Sequence, residues 1–228
     1  MSGRRLPALV VVDVQRYYLD PDAPFRRYSE RLRPGGTGYI ANRVRQQVIP
    51  ALGRLLPLFR SRSWPVVYLR LCGSKEDRSD LHRYFKRFYD AALAEGYQDT
   101  YPLCDQELAG MPPELSPAAG ELVFDKTGYS GFTSGKLEAL LKELRVGLMF
   151  MTGLTTSQCV NTTARDASDR GFSVAFVTDA LADYSEQAHL AALYSSANVC
   201  GGHQVTSALL GAEPDATVDA IMVREGGL

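Results

Sequence analysis

The sequence predicts a doubly wound α/β fold, a six-stranded and mostly parallel sheet between two layers of helices. Short apolar runs rich in β-branched residues recur along the chain, as expected for parallel strands that are buried on both faces. Segments with helical periodicity separate these runs, and alternating strands and helices form βαβ units. The predicted strands are Ala8–Val12, Pro65–Leu71, Glu121–Phe124, Gly147–Met151, Ser173–Val177 and a weaker sixth, His203–Thr206.

The predicted helices lie between these strands. Apolar residues recur at three- and four-residue steps from Val44 to Phe59, where Pro50 and Pro57 are predicted kinks or boundaries. A short leucine stripe follows at 137–144. The next helical pattern runs from Ser157 to Arg170 and stops at Gly171, a good residue to end a helix, and another begins at Ser185.

The length of 228 residues favours a single domain spanning 1–228. Residues 72–119 form a long connection rich in aromatic residues, which suggests a lid over a pocket or a subunit interface. The tail 211–228 contains the apolar run Val218–Val223, which is interpreted as an extra edge strand or as an arm onto a neighbouring subunit.

Composition excludes several classes of function. The formal net charge is −1, so no overall field favours nucleic acid or a membrane surface. No apolar stretch approaches the ~18 residues of a membrane span, and no targeting signal is recognisable. The cysteines are far apart and form no C-x-x-C pair, which predicts free thiols and a cytoplasmic setting. They are Cys72, Cys104, Cys159 and Cys200.

Three chemically complementary residues follow predicted strands. Asp13 follows the first, Lys126 lies two residues beyond the third, and Cys159 lies at a helix start after the fourth. In such sheets the working groups gather beyond the carboxyl ends of the strands. A helix N-terminus and a nearby ammonium stabilise a thiolate, and a carboxylate can accept the thiol proton. Taken singly, each has an ordinary interpretation: a capping aspartate, a surface lysine and a core cysteine.

The segments around these residues resemble the isochorismatase-like cysteine hydrolases, a family that includes nicotinamidases, N-carbamoylsarcosine amidohydrolases, biuret hydrolases and ureidoacrylate amidohydrolases. VVVDVQRYY resembles the aspartate motif of the family, FDKTGYSGF its lysine motif, and TGLTTSQCVNTTARDASDRGFSVAFVTDA its cysteine motif. The resemblance implies Asp13 as general base, Lys126 as its cationic partner and Cys159 as nucleophile. It further implies an oxyanion hole from the amides of Thr155 and Cys159, and a cis peptide at Leu154–Thr155.

Departures from the family pattern narrow the function. Where nicotinamidases carry an Asp-x-His metal motif, this chain has Leu71, Cys72 and Gly73, so neither a metal nor another cofactor is expected. Tyr184 replaces the arginine that holds the substrate carboxylate in N-carbamoylsarcosine hydrolases. Cys159 disfavours isochorismatase chemistry itself, because true isochorismatases lack that nucleophile.

The sequence thus predicts a hydrolase that cleaves a C–N bond of a small amide, ureide or carbamoyl compound. The resemblance suggests a homodimer or homotetramer. Three alternatives stay open: an inactive binding or scaffold protein of this fold, a nucleotide- or flavin-binding protein, and a cysteine–histidine hydrolase using His189 or His203. Residues adjacent in sequence to the three catalytic candidates are the predicted substrate contacts: Tyr18, Tyr129, Phe132, Thr156, Gln158 and Tyr184.

Overall fold

The structure, a computed structural model, describes residues 5–197, 199–200 and 202–226. Its centre is a six-stranded, fully parallel sheet in the order β3-β2-β1-β4-β5-β6. The predicted fold class is therefore confirmed. The strands are β1 (Leu6–Val12), β2 (Val66–Leu71), β3 (Leu122–Lys126), β4 (Val146–Leu154), β5 (Ser173–Ala182) and β6 (His203–Val205).

Helices cover both faces of this sheet. In chain order they are α1 (Arg16–Leu19), α2 (Pro24–Leu32), α3 (Gly38–Arg43), α4 (Ile49–Ser61), α5 (Arg83–Ala94), α6 (Lys136–Glu143), α7 (Asn161–Asp169), α8 (Glu186–Ser196), α9 (Ser207–Ala212) and α10 (Pro214–Gly226). Pro50 lies in the first turn of α4, after a π-helical turn at Val44–Val48, whereas α4 continues through Pro57. Among the described residues, no helix combines the length and the apolar character that crossing a bilayer requires.

Strand β1 illustrates why a parallel sheet suits this sequence. Its side chains alternate between two apolar cores, with Leu9 and Val11 in one and Ala8, Val10 and Val12 in the other. All five are fully buried. A run without polar residues is therefore what a central strand between two helical layers needs.

The strand order fixes where the chain reverses direction across the sheet. From β1 the chain moves outward through β2 to β3, and it then returns to the other side of β1 with β4. A crevice opens beyond the carboxyl ends of the strands at such a switch point. Asp13 and Cys159 follow the two strands that flank it.

The C-terminal tail is helical, so its interpretation as an edge strand is wrong. α10 spans Pro214–Gly226, and Val218 and Ile221 are the members of the apolar run that are buried in the core. Their three-residue spacing places both side chains on one face of a helix. A six-residue apolar run does not by itself distinguish a strand from a buried helix face.

Two cysteines form a disulfide, so the expectation of four free thiols is wrong. Cys72 follows β2, and Cys104 lies 32 residues later in the segment that carries Tyr101. Cys159 and Cys200 form no disulfide, and both are buried. Cysteine content thus no longer supports the cytoplasmic setting, which stays a prediction.

Candidate functional site

Asp13 stands at the point where β1 stops. Its amide donates to the carbonyl of Leu69 in β2 at 2.9 Å, and its φ of 52° lies in the left-handed region. Aspartate and asparagine adopt that conformation more readily than other residues with a β-carbon. The side chain is buried, and Oδ1 has no hydrogen-bond partner.

Lys126 is the last residue of β3, paired in register with Leu71 of β2. Its ammonium is buried and makes three close contacts. Nζ lies 2.8 Å from Oδ2 of Asp13, 3.3 Å from Sγ of Cys159 and 3.0 Å from the carbonyl oxygen of Gly128. The lysine therefore bridges a carboxylate and a thiol delivered by two other strands.

Cys159 lies in a π-helical turn, Thr156–Val160, between β4 and α7. Gly153 permits this approach, because a β-carbon there would lie 2.0 Å from the carbonyl oxygen of Val12. Its φ of 98° is also one that other residues rarely adopt. A glycine is thus needed where the end of β4 passes the end of β1, next to Asp13.

Burial dominates the electrostatics of this cluster. Desolvation raises the pKa of Asp13 above its ordinary value although Lys126 opposes the shift. Burial alone would lower the pKa of Lys126, but its interactions with Asp13, and after them those with Cys159, outweigh burial and raise that pKa. Burial raises the pKa of Cys159 to about 12, against the effect of Lys126. Burial thus favours the neutral thiol, whereas the charge of Lys126 favours the thiolate.

A small cavity of about 40 Å³ opens beside the sulfur. Its lining combines the cluster with aromatic and apolar side chains: Asp13, Tyr17, Tyr18, Phe25, Leu71, Phe85, Tyr101, Leu154, Thr155, Gln158, Cys159 and Tyr184. A wider cavity of about 300 Å³ adjoins it and shares Phe25, Phe85, Tyr101, Gln158 and Tyr184. We call these the inner and outer chambers.

Half of the predicted substrate contacts lie on the inner chamber. Tyr18, Gln158 and Tyr184 line it, whereas the remaining three are not among its lining residues. The ring of Phe132 lies 6.0 Å from that of Phe172 and beneath Arg170, and the ring of Tyr129 lies 4.7 Å from that of Phe85. Thr156 is the first residue of the cysteine turn and is fully buried. Contact of these three residues with a substrate stays a prediction.

Sequence reasoning missed most of the chamber walls. Tyr17 and Phe25 come from the segment after β1. Phe85 and Tyr101 come from 72–119, the aromatic segment that is predicted to be a lid or a subunit interface.

The expected cis peptide at Leu154–Thr155 is wrong. No cis peptide bond occurs among residues 5–197, 199–200 and 202–226. Thr155 has φ −87° and ψ 146°, so the chain leaves β4 in an extended conformation and enters the turn through a trans bond.

One group of side chains has metal-ligating atoms close together in the described part of the chain: Cys72, Cys104 and Asp125. Its two sulfurs are joined to each other, and Asp125 pairs with Arg70 at 2.7 Å. The prediction that the chain uses no metal stays a prediction.

A parallel α/β sheet that brings a carboxylate, an ammonium and a thiol together at its switch point is the architecture of a candidate cysteine hydrolase. The profile of the isochorismatase domain matches residues 7–208. The chain therefore belongs to the isochorismatase family of hydrolases.

Individual relatives agree with this assignment. The chain is 30% identical over 196 residues to a ureidoacrylate amidohydrolase of Methylobacterium radiotolerans, covering 83% of this chain and 70% of that protein. It is 27% identical over 166 residues to an N-carbamoylsarcosine amidase of Arthrobacter, covering 73% and 55%. An isochorismatase family protein of Desulfovibrio vulgaris shares its fold with a TM-score of 0.73 at 23% identity, covering 91% and 97%.

Proposed function

We propose that this protein is a cysteine hydrolase that cleaves a C–N bond of a small amide, ureide or carbamoyl compound through a thioester. The observation that carries this proposal is the buried chain of contacts from Asp13 through Lys126 to Cys159, opening on the inner chamber. Relatives named for acting on ureidoacrylate and N-carbamoylsarcosine support the choice of bond.

The first half of the reaction forms the thioester. Asp13 accepts the proton of Cys159 as Sγ attacks the carbonyl carbon, and the C=O π electrons move onto oxygen. Oδ1 of Asp13 is suited to this proton, since it is buried and has no donor of its own. A thiol with a raised pKa needs such a base at the moment of attack, and Lys126 then stabilises the thiolate.

The amides of Thr155 and Cys159 hold the developing oxyanion in this proposal, because backbone N–H groups at the start of a helix are suited to negative charge. Collapse of the intermediate breaks the C–N bond, and Asp13 returns its proton to the departing ammonia or amine. Water then attacks the thioester with Asp13 again as base, which releases the acid and restores the thiol.

The two chambers limit which substrates fit. In this proposal the carbamoyl group occupies the inner chamber beside Cys159, and the rest of the molecule extends into the outer chamber. The outer chamber adds Tyr84, Phe88 and Arg33 to the shared aromatic walls. We expect compounds with a terminal carbamoyl group on an apolar body to be cleaved faster than branched amides, which the inner chamber excludes.

Ammonia release across a panel of small amides, ureides and carbamoyl compounds tests this function. Cys159→Ala is expected to lose all measurable turnover while keeping the unfolding midpoint of the parent. Cys200→Ala is the matched control, because Cys200 is the other buried cysteine outside the disulfide and lines neither chamber. Intact-mass detection of a thioester on the parent and on Cys200→Ala, but not on Cys159→Ala, identifies the nucleophile. Normal turnover by Cys159→Ala would refute the proposal.

A further inference from the structure

Three side chains, Arg43, His189 and Thr156, form a hydrogen-bonded row that ends at the turn carrying Cys159. Nη2 of Arg43 lies 3.1 Å from Nε2 of His189, and Nδ1 of His189 lies 2.9 Å from Oγ1 of Thr156. Arg43 is fixed in turn by two carbonyls of β5, those of Leu181 at 2.9 Å and Thr178 at 3.2 Å. His189 and Thr156 are buried, and neither they nor Arg43 line a chamber.

These contacts determine which ring nitrogen carries the proton. A guanidinium has donors only, so Nε2 of His189 must accept from Arg43. The single proton of the neutral ring then lies on Nδ1, and this N–H donates to the hydroxyl of Thr156. Burial and the charge of Arg43 lower the pKa of His189 to about 4, so the ring is neutral at pH 7.

Thr156, which accepts the hydrogen bond from His189, begins the turn that carries Cys159. Thr156 is the first residue of the π-helical turn, and the amide of Ser157 donates to Oδ2 of Asp183 at 2.6 Å. π-Helical turns are rare and less regular than an α-helix, and they recur at functional sites. Two side chains from the β5–α8 region thus clamp the first two residues of this turn.

We propose that His189, as the neutral Nδ1–H tautomer, is a positioning residue that holds the turn so that Cys159 stays in contact with Lys126. The proposal rests on the proposed function, in which Cys159 is the nucleophile. It also gives His189 a role other than that of a base, because both ring nitrogens are engaged away from the inner chamber. A misplacement of about 1 Å at a reacting group costs on the order of 10²-fold in rate.

Paired substitutions at both ends of the contact test this role. His189→Phe keeps a ring but offers neither donor nor acceptor, whereas His189→Gln offers both. We expect kcat to fall on the order of 10²-fold in His189→Phe with KM within about twofold, and most of that loss to be recovered in His189→Gln. Thr156→Val should repeat the loss and Thr156→Ser should not. His203→Gln is the control, because His203 lies in β6 and lines neither chamber.

A spectroscopic measurement tests the tautomer without turnover. The chain has only three histidines, so ¹⁵N-histidine NMR gives a small set of ring signals, and the signals lost in His189→Phe identify His189. At pH 7 we expect a protonated Nδ1 and an unprotonated Nε2. An Nε2–H tautomer or an imidazolium overturns the inference, and so does an unchanged kcat in both His189→Phe and Thr156→Val. Because this spectrum is independent of catalysis, an active Cys159→Ala enzyme would defeat the proposed function while leaving the tautomer assignment standing.

Discussion

Replacing Lys126 by methionine removes the ammonium and keeps an unbranched side chain of similar length. Nζ lies 2.8 Å from Oδ2 of Asp13, so at an effective dielectric constant of about 20 this contact alone supplies about 6 kcal/mol of Coulomb attraction. Desolvation of both charges offsets much of it. Removing one partner of such a buried pair leaves the other charge uncompensated and typically costs about 3–5 kcal/mol. We expect the free energy of unfolding to fall by that amount.

We expect kcat of Lys126→Met to fall by more than the loss of folded protein accounts for. Loss of one charge that stabilises the attacking sulfur and its intermediate corresponds to at least about 10²–10³-fold in kcat. Chemical denaturation and ammonia release measure the two effects separately. The Asp13→Asn/Lys126→Met double variant removes both charges, so it should regain most of the stability while staying inactive.

The double variant separates the chemical role of the pair from its structural role. A Lys126→Met protein with unchanged stability and kcat within tenfold of the parent would show that the ammonium neither pairs with Asp13 nor assists Cys159. That result would instead favour a hydrolase that uses a different base.

Three further changes have defined outcomes. Reducing the Cys72–Cys104 disulfide, whose cysteines are 32 residues apart, should lower the free energy of unfolding by about 3–4 kcal/mol. Denaturation with and without dithiothreitol measures this change, and equal unfolding midpoints would contradict it. Gly153→Ala should yield little folded protein, because its β-carbon meets the Val12 carbonyl at 2.0 Å; a normal expression level and melting temperature argue against that contact. The folded-state pKa of His189 is depressed from 6.5 to about 4, so its contribution to stability is complete above pH 6.5 and is lost as pH falls to 4, a total of about 3 kcal/mol. Between pH 7 and pH 4.5 the free energy of unfolding should therefore fall less in His189→Gln than in the parent, as measured by denaturation curves at both pH values. An identical pH dependence in the two proteins would disprove the assignment.

Most of the sheet could be predicted from sequence because β1, β2, β4 and β5 are largely buried, and burial on both faces requires a nearly continuous apolar run. The edge strands β3 and β6 are partly exposed. The catalytic candidates could be predicted because strand ends in such a sheet meet at one edge. Lys126 shows this well, since it lies in β3 yet contacts the residues that follow β1 and β4. The family resemblance added the roles.

Features that depend on distant parts of the chain were missed. The disulfide joins residues 32 positions apart, and no spacing rule pairs Cys72 with Cys104. Tyr17, Phe25 and Tyr101 reach the inner chamber from separate segments, so proximity in sequence to the cluster does not identify them. The raised pKa of Cys159 was missed for the same reason, because burial depends on what the rest of the chain packs around the sulfur.

The left-handed backbone at Asp13 restricts how this site can change. Glutamate is the nearest chemical substitute for aspartate, yet a φ of 52° is less readily adopted by residues with a β-carbon other than aspartate, asparagine and histidine. Asparagine fits the backbone but could not accept the proton that the proposed mechanism assigns to Asp13. If Asp13 is the base, backbone conformation and proton chemistry both require aspartate here. We then expect differences in substrate preference to arise from substitutions in the chamber walls and not at this position.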